Sequence, residues 1–366
     1  MMKRVMLVFG TRPEAIKMIP ILHELKKRAF CETLVCVTAQ HREMLDQVLN
    51  LFNIHPDIDL NVMMDSQTID YLTSSVLLKM TDVYKHYRPD LVLVHGDTTT
   101  TYASALAAFY QNISIGHVEA GLRTYRLDSP FPEEFNRQSV SLFAKVHFAP
   151  TVRAAENLLR EGKSRESILI TGNTSIDMLS LTVKANYTHP LLERLDKQRI
   201  VLLTAHRREN LGEAIHNMFR AIKRVLDEFY DVHIIYPIHL NPVIRMIAQK
   251  IFNDHPRLHI IEPLNVIDFH NVMAKSYLVL TDSGGIQEEA PSLGKPVLVM
   301  RETTERPEGI AAGTLKLVGV CEESIYDHFK RLLTDERLYE TMSQAQNPYG
   351  DGQASLRIVD YIERYF

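Results

Sequence analysis

Residues 94–137 read VHGDTTTTYASALAAFYQNISIGHVEAGLRTYRLDSPFPEEFNR and set three carboxylates at successive ends of regular structure. Asp97 follows the apolar run at 91–94, Glu119 follows the short run at 113–118, and Glu133 follows Pro130-Phe131-Pro132 at an expected helix start. The segment between the first two acids, 102–110, carries no charge and has the length of a helix. Strand, helix, strand in this rhythm is the building unit of a parallel sheet. In an open α/β sheet, ligands bind outside the carboxyl ends of the strands, so acids placed there face one crevice. Singly, each acid has a plainer reading: Asp97 caps the helix beginning near Thr99, and Glu133 is a first-turn acid favoured by the helix dipole. Together, with His95, His117 and Arg123 interleaved, they point to proton chemistry or stabilisation of a cation.

Outward from this stretch the same alternation fills most of the chain. Strands are expected at 4–9, 32–38, 91–94, 113–117 and 146–148, with helices at 13–27, 41–52, 99–110, 136–143 and 153–160 and a long one ending near 86. Residues 57–67 read as a polar loop. After 168–171 the rhythm restarts, with strands expected at 200–204, 232–236, 258–261, 278–281, 296–300 and 314–317. The fold class is therefore α/β, with two Rossmann-like doubly wound domains facing a cleft. The domains are expected at 1–171 and 172–352. After the turn-rich break at 347–352, a final helix within 353–366 is expected to pack back on the first. Clefts between domains are preferred ligand sites.

Composition narrows the partners. With 41 Lys+Arg against 45 Asp+Glu in 366 residues and no basic block, nucleic acid and membrane surfaces are poor candidates. The three cysteines, Cys31, Cys36 and Cys321, are too few and scattered for a disulfide framework or a metal knuckle, and they suit a reducing cytoplasm. No apolar run approaches the ~18 residues of a spanning helix. His23, His41, His55, His86, His216, His239 and His255 form no metal-ligand spacing.

Three strand-to-helix junctions suit phosphate. Phe9-Gly10-Thr11-Arg12-Pro13-Glu14 offers a flexible glycine, the bare N–H groups of a helix start and one arginine. The alternative is that Gly10 only makes the turn and Arg12 is solvated. Thr281-Asp282-Ser283-Gly284-Gly285 leads from a strand into a helix. Its glycines would let a diphosphate approach the main chain, and Glu289, one turn on, could accept two ribose hydroxyls. The plainer reading is a capped helix after a tight turn. Thr204-Ala205-His206-Arg207-Arg208 places a histidine and two arginines just past another strand.

The segments GTRPEAIKM, HGDTTT, HVEAGLRT, PFPEEFNR, AHRRENLG, TDSGGIQEEA and NPYGDG run from Gly10 to Gly352 and together resemble those of the non-hydrolysing bacterial UDP-N-acetylglucosamine 2-epimerases. The resemblance implies a glycosyltransferase-B type fold and a cytoplasmic homodimer without cofactor or metal. The implied activity interconverts UDP-GlcNAc and UDP-ManNAc through elimination of UDP to a 2-acetamidoglucal, supplying ManNAc units for surface polysaccharide. Carried over by motif, it makes Asp97, Glu119, Glu133 and His206 catalytic. It assigns Arg12, Lys17, Phe269, Ser283, Gly284, Gly285 and Glu289 to the substrate, and Gln40, His41, Gln67, Arg207 and His239 to a second UDP-GlcNAc acting as activator. Ser66 stands where activator-binding relatives often carry Arg, and residues 124–127 lack the Gly or Asn often seen there. A glycosyltransferase of the same architecture, a hydrolysing epimerase and a non-catalytic sugar-nucleotide sensor are the competing readings.

Overall fold

The computed structural model describes residues 2–64 and 67–366, with Arg208 described by its backbone alone. The chain divides into two compact units, one of Met1–Leu181 with Tyr349–Phe366 and one of Thr182–Pro348. Among the described residues the first unit holds seven parallel strands: β1 (Lys3–Phe9), β2 (Cys31–Val37), β3 (Ile58–Asp59), β4 (Leu91–His95), β5 (Ser114–Val118), β6 (Val146–Ala149) and β7 (Ile168–Ile170). Their order across the sheet is β3-β2-β1-β4-β5-β6-β7.

The central strands are buried on both faces. Val5, Leu7, Leu91 and Leu93 enter one apolar cluster, while Met6, Val8, Val92 and Val94 enter the other. Period-2 side chains feeding two cores make a strand read as an unbroken apolar run, and each such buried residue contributes about 1.5–3 kcal/mol. Helix Ala354–Tyr365 adds Ile358, Val359 and Ile362 to the first of these cores.

The second unit repeats the winding with β8 (Arg199–Thr204), β9 (Val232–Pro237), β10 (Leu258–Ile261), β11 (Leu278–Thr281), β12 (Val297–Val299) and β13 (Leu315–Leu317), in the order β10-β9-β8-β11-β12-β13. Both units are therefore Rossmann-like. The strand order reverses between β1 and β4 in one and between β8 and β11 in the other. At such reversals the loops diverge and leave a crevice at the carboxyl ends. Thr11 and Arg12 follow β1 and Asp97 follows β4; His206 follows β8 and Ser283 follows β11.

Two sequence expectations are corrected. The first unit continues past Thr171 to Leu181 and resumes at Tyr349, before residue 353. Helix Thr174–Thr182 belongs to it because Asp177 accepts the main-chain N–H of Ala354 at 3.2 Å and of Ser355 at 2.7 Å, fastening the start of the final helix. The segment expected as a polar loop contains β3, which pairs with β2 and is continued by Leu60 N–H donating to Val37 O at 2.9 Å.

Candidate active site

Glu119 directly follows β5 and takes φ +61°. This left-handed conformation costs a residue with a side chain on the order of 1 kcal/mol or more. Its partners hold it there: Lys17 Nζ donates to Oε2, Asn173 Nδ2 donates to the same oxygen at 2.8 Å, and His95 Nε2 lies 3.8 Å away. The Lys17 and Glu119 side chains are 12% and 10% exposed, so this pair is shielded from solvent screening.

Asp97 lies two residues past β4. Its Oδ2 accepts Arg137 Nη1 at 3.0 Å, and its main-chain carbonyl accepts Asn136 Nδ2 at 2.9 Å. Burial pushes the Asp97 carboxyl up to about 6. Glu119 and Glu133 add to the rise, and Arg137 and Lys17 oppose it. The three acids are thus close enough for one to sense the charge of the other two.

Glu133 opens the helix Glu133–Phe143, and its buried Oε2 has no hydrogen-bond partner among the described residues. Its neighbour Glu134 is fully committed, accepting from Thr124 N at 3.0 Å, Tyr125 N at 2.9 Å, Arg137 Nε at 2.7 Å and Gln138 Nε2 at 2.7 Å. Adjacent acids have divided roles, one anchoring a loop and one presenting an oxygen. Burial lowers His95 and His117 to about 4, so both imidazoles are neutral near pH 7. His117 Nε2 sits 2.7 Å from Gly96 O and steadies the turn that carries Asp97.

In the second unit, Asp282 organises the reversal. Its buried Oδ2 accepts His206 N at 2.9 Å, Arg207 N at 2.9 Å and Asn210 Nδ2 at 3.1 Å, joining the loop after β8 to the loop after β11. His206 keeps an exposed ring, with Nδ1 3.4 Å from Asp282 Oδ1 and a stacked contact of 5.6 Å to His239. Ser283 N donates back to Thr281 Oγ1 at 2.9 Å, while the N–H groups of Gly284, Gly285 and Ile286 make no hydrogen bond among the described residues. These bare donors can receive an anion. A Cβ on Gly284 would come within 2.6 Å of Arg306 Nη1, so the glycine also admits that guanidinium. Glu289 Oε2 lies 3.5 Å from His270 Nε2, and the half-buried Phe269 precedes that histidine.

Among the residues expected at an activator site, Gln67 Nε2 donates to Gln40 O at 3.2 Å, and Gln40 Oε1 accepts Thr100 N at 3.2 Å. His41 is exposed at the start of helix Arg42–Leu51. Arg207 Nη1 lies 3.4 Å from Glu209 and 3.9 Å from Glu305. Ser66 and the side chain of Arg208 lie outside the described residues.

Arg123, grouped with the acids from sequence, is instead structural. Its buried guanidinium is held by Glu161 at 2.7 and 2.8 Å, Ser141 Oγ at 2.9 Å and Leu122 O at 2.7 Å. Gly10 is not a flexible turn residue: a Cβ there would strike Thr38 Oγ1 at 2.0 Å and Thr100 Oγ1 at 2.4 Å. Arg12 is half-buried, and burial lowers its guanidinium.

Glu14 is a residue that local reading of the sequence overlooks. Its buried carboxylate accepts from Gly10 N, Thr11 N and Thr11 Oγ1 on one side and from Thr98 Oγ1 and Thr101 Oγ1 on the other, at 2.8–3.1 Å. It clamps the two loops that bound the crevice of the first sheet. The capping-box spacing of Thr11 and Glu14 was the available signal.

The family model described as UDP-N-acetylglucosamine 2-epimerase matches residues 23–363. The chain belongs to the UDP-N-acetylglucosamine 2-epimerase family. Among similar members of this epimerase family, the UDP-N-acetylglucosamine 2-epimerase of Bacillus subtilis strain 168 is 61% identical over 359 residues, covering 98% of this chain and 94% of the relative. An S. aureus MnaA–UDP co-structure superposes with a TM-score of 0.92 at 54% identity, covering 100% of this chain and 97% of that one. The Neisseria meningitidis UDP-GlcNAc 2-epimerase, solved bound to UDP-GlcNAc, superposes with a TM-score of 0.91 at 47% identity, covering 99% and 100%.

Proposed function

We propose that this member of the epimerase family interconverts UDP-GlcNAc and UDP-ManNAc without hydrolysis. The observation that carries the reading is the convergence of Glu119 and Glu133 on Asp97, whose carboxyl is raised to about 6 chiefly by burial. The hydrogen on C2 of the sugar is not beside a carbonyl, so its removal requires departure of the nucleotide. As the C1–O bond breaks, its electron pair leaves with UDP and C1 gains cationic character. A carboxylate takes the C2 proton, and the C–H electrons form the C1=C2 bond of 2-acetamidoglucal. Proton return on the opposite face, with UDP adding back to C1, inverts C2.

Acids near one another have separated proton affinities, which allows an acid and a base to coexist near neutral pH. In this reading Asp97, Glu119 and Glu133 exchange the proton and stabilise the cation. Ser283, Gly284 and Gly285, with Arg12 and His206, take the charge developing on the diphosphate, and Lys17 binds the substrate beside Glu119. Glu289 receives the ribose, and Phe269 packs the uracil. Incubation with UDP-GlcNAc alone in D2O is expected to give UDP-ManNAc carrying deuterium at C2. Free ManNAc as the only product would favour a hydrolysing enzyme, and absence of exchange without an acceptor would favour sugar transfer.

A second UDP-GlcNAc is proposed as activator on Gln40, His41, Gln67, Arg207 and His239, supported by the Gln40–Gln67 bond and the His206–His239 stack. A strictly hyperbolic dependence of initial rate on UDP-GlcNAc would remove it. The cytoplasm is the proposed location; no helix among the described residues is long and apolar enough to cross a membrane. Recovery in a washed membrane fraction would contradict that placement.

A homodimer through the first unit is also proposed. Leu78, Phe109, Tyr110 and Leu142 are 68%, 51%, 60% and 76% exposed on three neighbouring helices, Ile69–Tyr87, Thr99–Tyr110 and Glu133–Phe143. The ring of Phe109 lies 5.4 Å from that of Phe143, linking two of the helices. Exposed apolar surface of this kind marks an interface. Light scattering should give a dimer mass for the wild type and a monomer mass for Phe109→Asp/Leu142→Asp; a monomeric wild type overturns the assignment.

A further inference from the structure

We infer that Asn173 is a positioning residue for the carboxylate of Glu119, an inference resting on the epimerase reading above. Asn173 follows Gly172 just after β7 and is 3% exposed. Three of its bonds run in different directions. Its N–H donates to Tyr349 O at 2.7 Å, where the chain re-enters the first unit. Its Oδ1 accepts Ser175 N at 3.0 Å, capping the start of helix Thr174–Thr182. Its Nδ2 donates to Glu119 Oε2 at 2.8 Å.

The main-chain bond holds the residue in place and the Ser175 cap orients its amide, so the third bond is directed. Nδ2 can face Glu119 only while Oδ1 faces Ser175 N, and that cap specifies which way the amide is turned. Glu119 needs such a guide. It sits in the left-handed region at φ +61°, so its side chain leaves the main chain in a direction that β-strand continuation would not give. Lys17 fixes the same oxygen from helix Arg12–Lys26. An ammonium and an amide converging on one oxygen from two elements hold the plane of the carboxylate at a fixed angle. Asn173 thus sets the orientation of the carboxylate from 54 residues away in sequence.

The test uses two substitutions that separate a reversed polarity toward Glu119 from simple loss of the cap and donor. Asn173→Asp keeps an oxygen for the Ser175 cap and the bond to Tyr349, but turns a carboxylate toward Glu119 in place of the donor. Asn173→Ala removes both the cap and the donor without adding charge. Misplacement of a reacting group by about 1 Å can cost on the order of 10²-fold in rate. Asn173→Asp is therefore expected to lower kcat at least tenfold. Asn173→Ala should lower kcat less, and the inhibition constant for UDP should change by less than threefold in both.

If Asn173→Asp keeps kcat within threefold of wild type, the inference is overturned. It is equally overturned if Asn173→Ala loses more turnover than Asn173→Asp, the pattern of a residue whose cap alone matters. Wild-type protein assayed beside them separates this outcome from failure of the parent reading: a wild type that neither forms UDP-ManNAc nor exchanges its C2 hydrogen overturns the epimerase assignment itself.

Discussion

Asp97→Asn is expected to lower kcat for epimerisation by ~10²-fold or more, the scale of a general acid–base group, while raising the melting temperature at pH 7.5. Both effects come from the same physical cause. Burial is the largest contributor to a carboxyl raised from 3.8 to about 6, and Arg137 only partly offsets it. A carboxyl whose folded value is raised is penalised as an anion in the native state. That penalty is absent below about 4, grows as pH rises through the interval, and is complete above about 6. The shift corresponds to on the order of 2–3 kcal/mol at neutral pH. Asparagine has the same shape, carries no charge, and keeps an oxygen for Arg137 Nη1. Thermal melts of both proteins at pH 7.5, 5 and 4 should show the variant's advantage shrinking toward zero in acid. A variant that is inactive and also less stable at pH 7.5 would make Asp97 a partner of Arg137 first, and would take it out of the proton chemistry.

Glu119→Gln and Glu133→Gln are expected to lose turnover on the same scale, but neither should show the same gain in stability. Glu119 is bonded by Lys17 and Asn173, so neutralising it weakens a shielded pair. The three acids were legible as a group because their place in the sequence encodes their place in the sheet. Each follows a β-rich run or opens a helix, and parallel strands bring such ends to one side. What local reading missed was everything set by distant partners. Lys17 and Glu119 are separated by 102 residues and Asn173 and Glu119 by 54. No periodicity links such positions.

The same reason explains Arg123, which looks like a site cation beside Glu119 until Glu161, on the far end of another helix, sequesters it. It also explains the boundary between the units, since Asp177 declares its allegiance only by capping a helix that starts at Ala354. β3 escaped notice because a two-residue strand has no alternation to detect; only its pairing with Cys36 and Val37 defines it.

Gly10→Ala should destabilise the protein by about 2–3 kcal/mol, at the upper end of what overpacking costs, lowering the melting temperature by roughly 5–10 °C. Thr38 and Thr100 are both fully buried, their hydroxyls share a bond of 2.7 Å, and Thr100 Oγ1 donates to Gln40 Oε1 at 2.9 Å. A methyl group placed 2.0 Å and 2.4 Å from those hydroxyls has nowhere to go unless the end of β1 withdraws from β2 and from helix Thr99–Tyr110. That withdrawal would carry Thr11 and Arg12 with it and loosen the Glu14 clamp, so affinity for UDP should fall alongside stability. Adding Thr38→Ala and Thr100→Ala to the same chain removes both colliding oxygens. The triple variant should then recover a large part of the lost stability. If it melts no higher than Gly10→Ala alone, the glycine is required for main-chain freedom rather than for space, and the turn reading taken from sequence would stand after all.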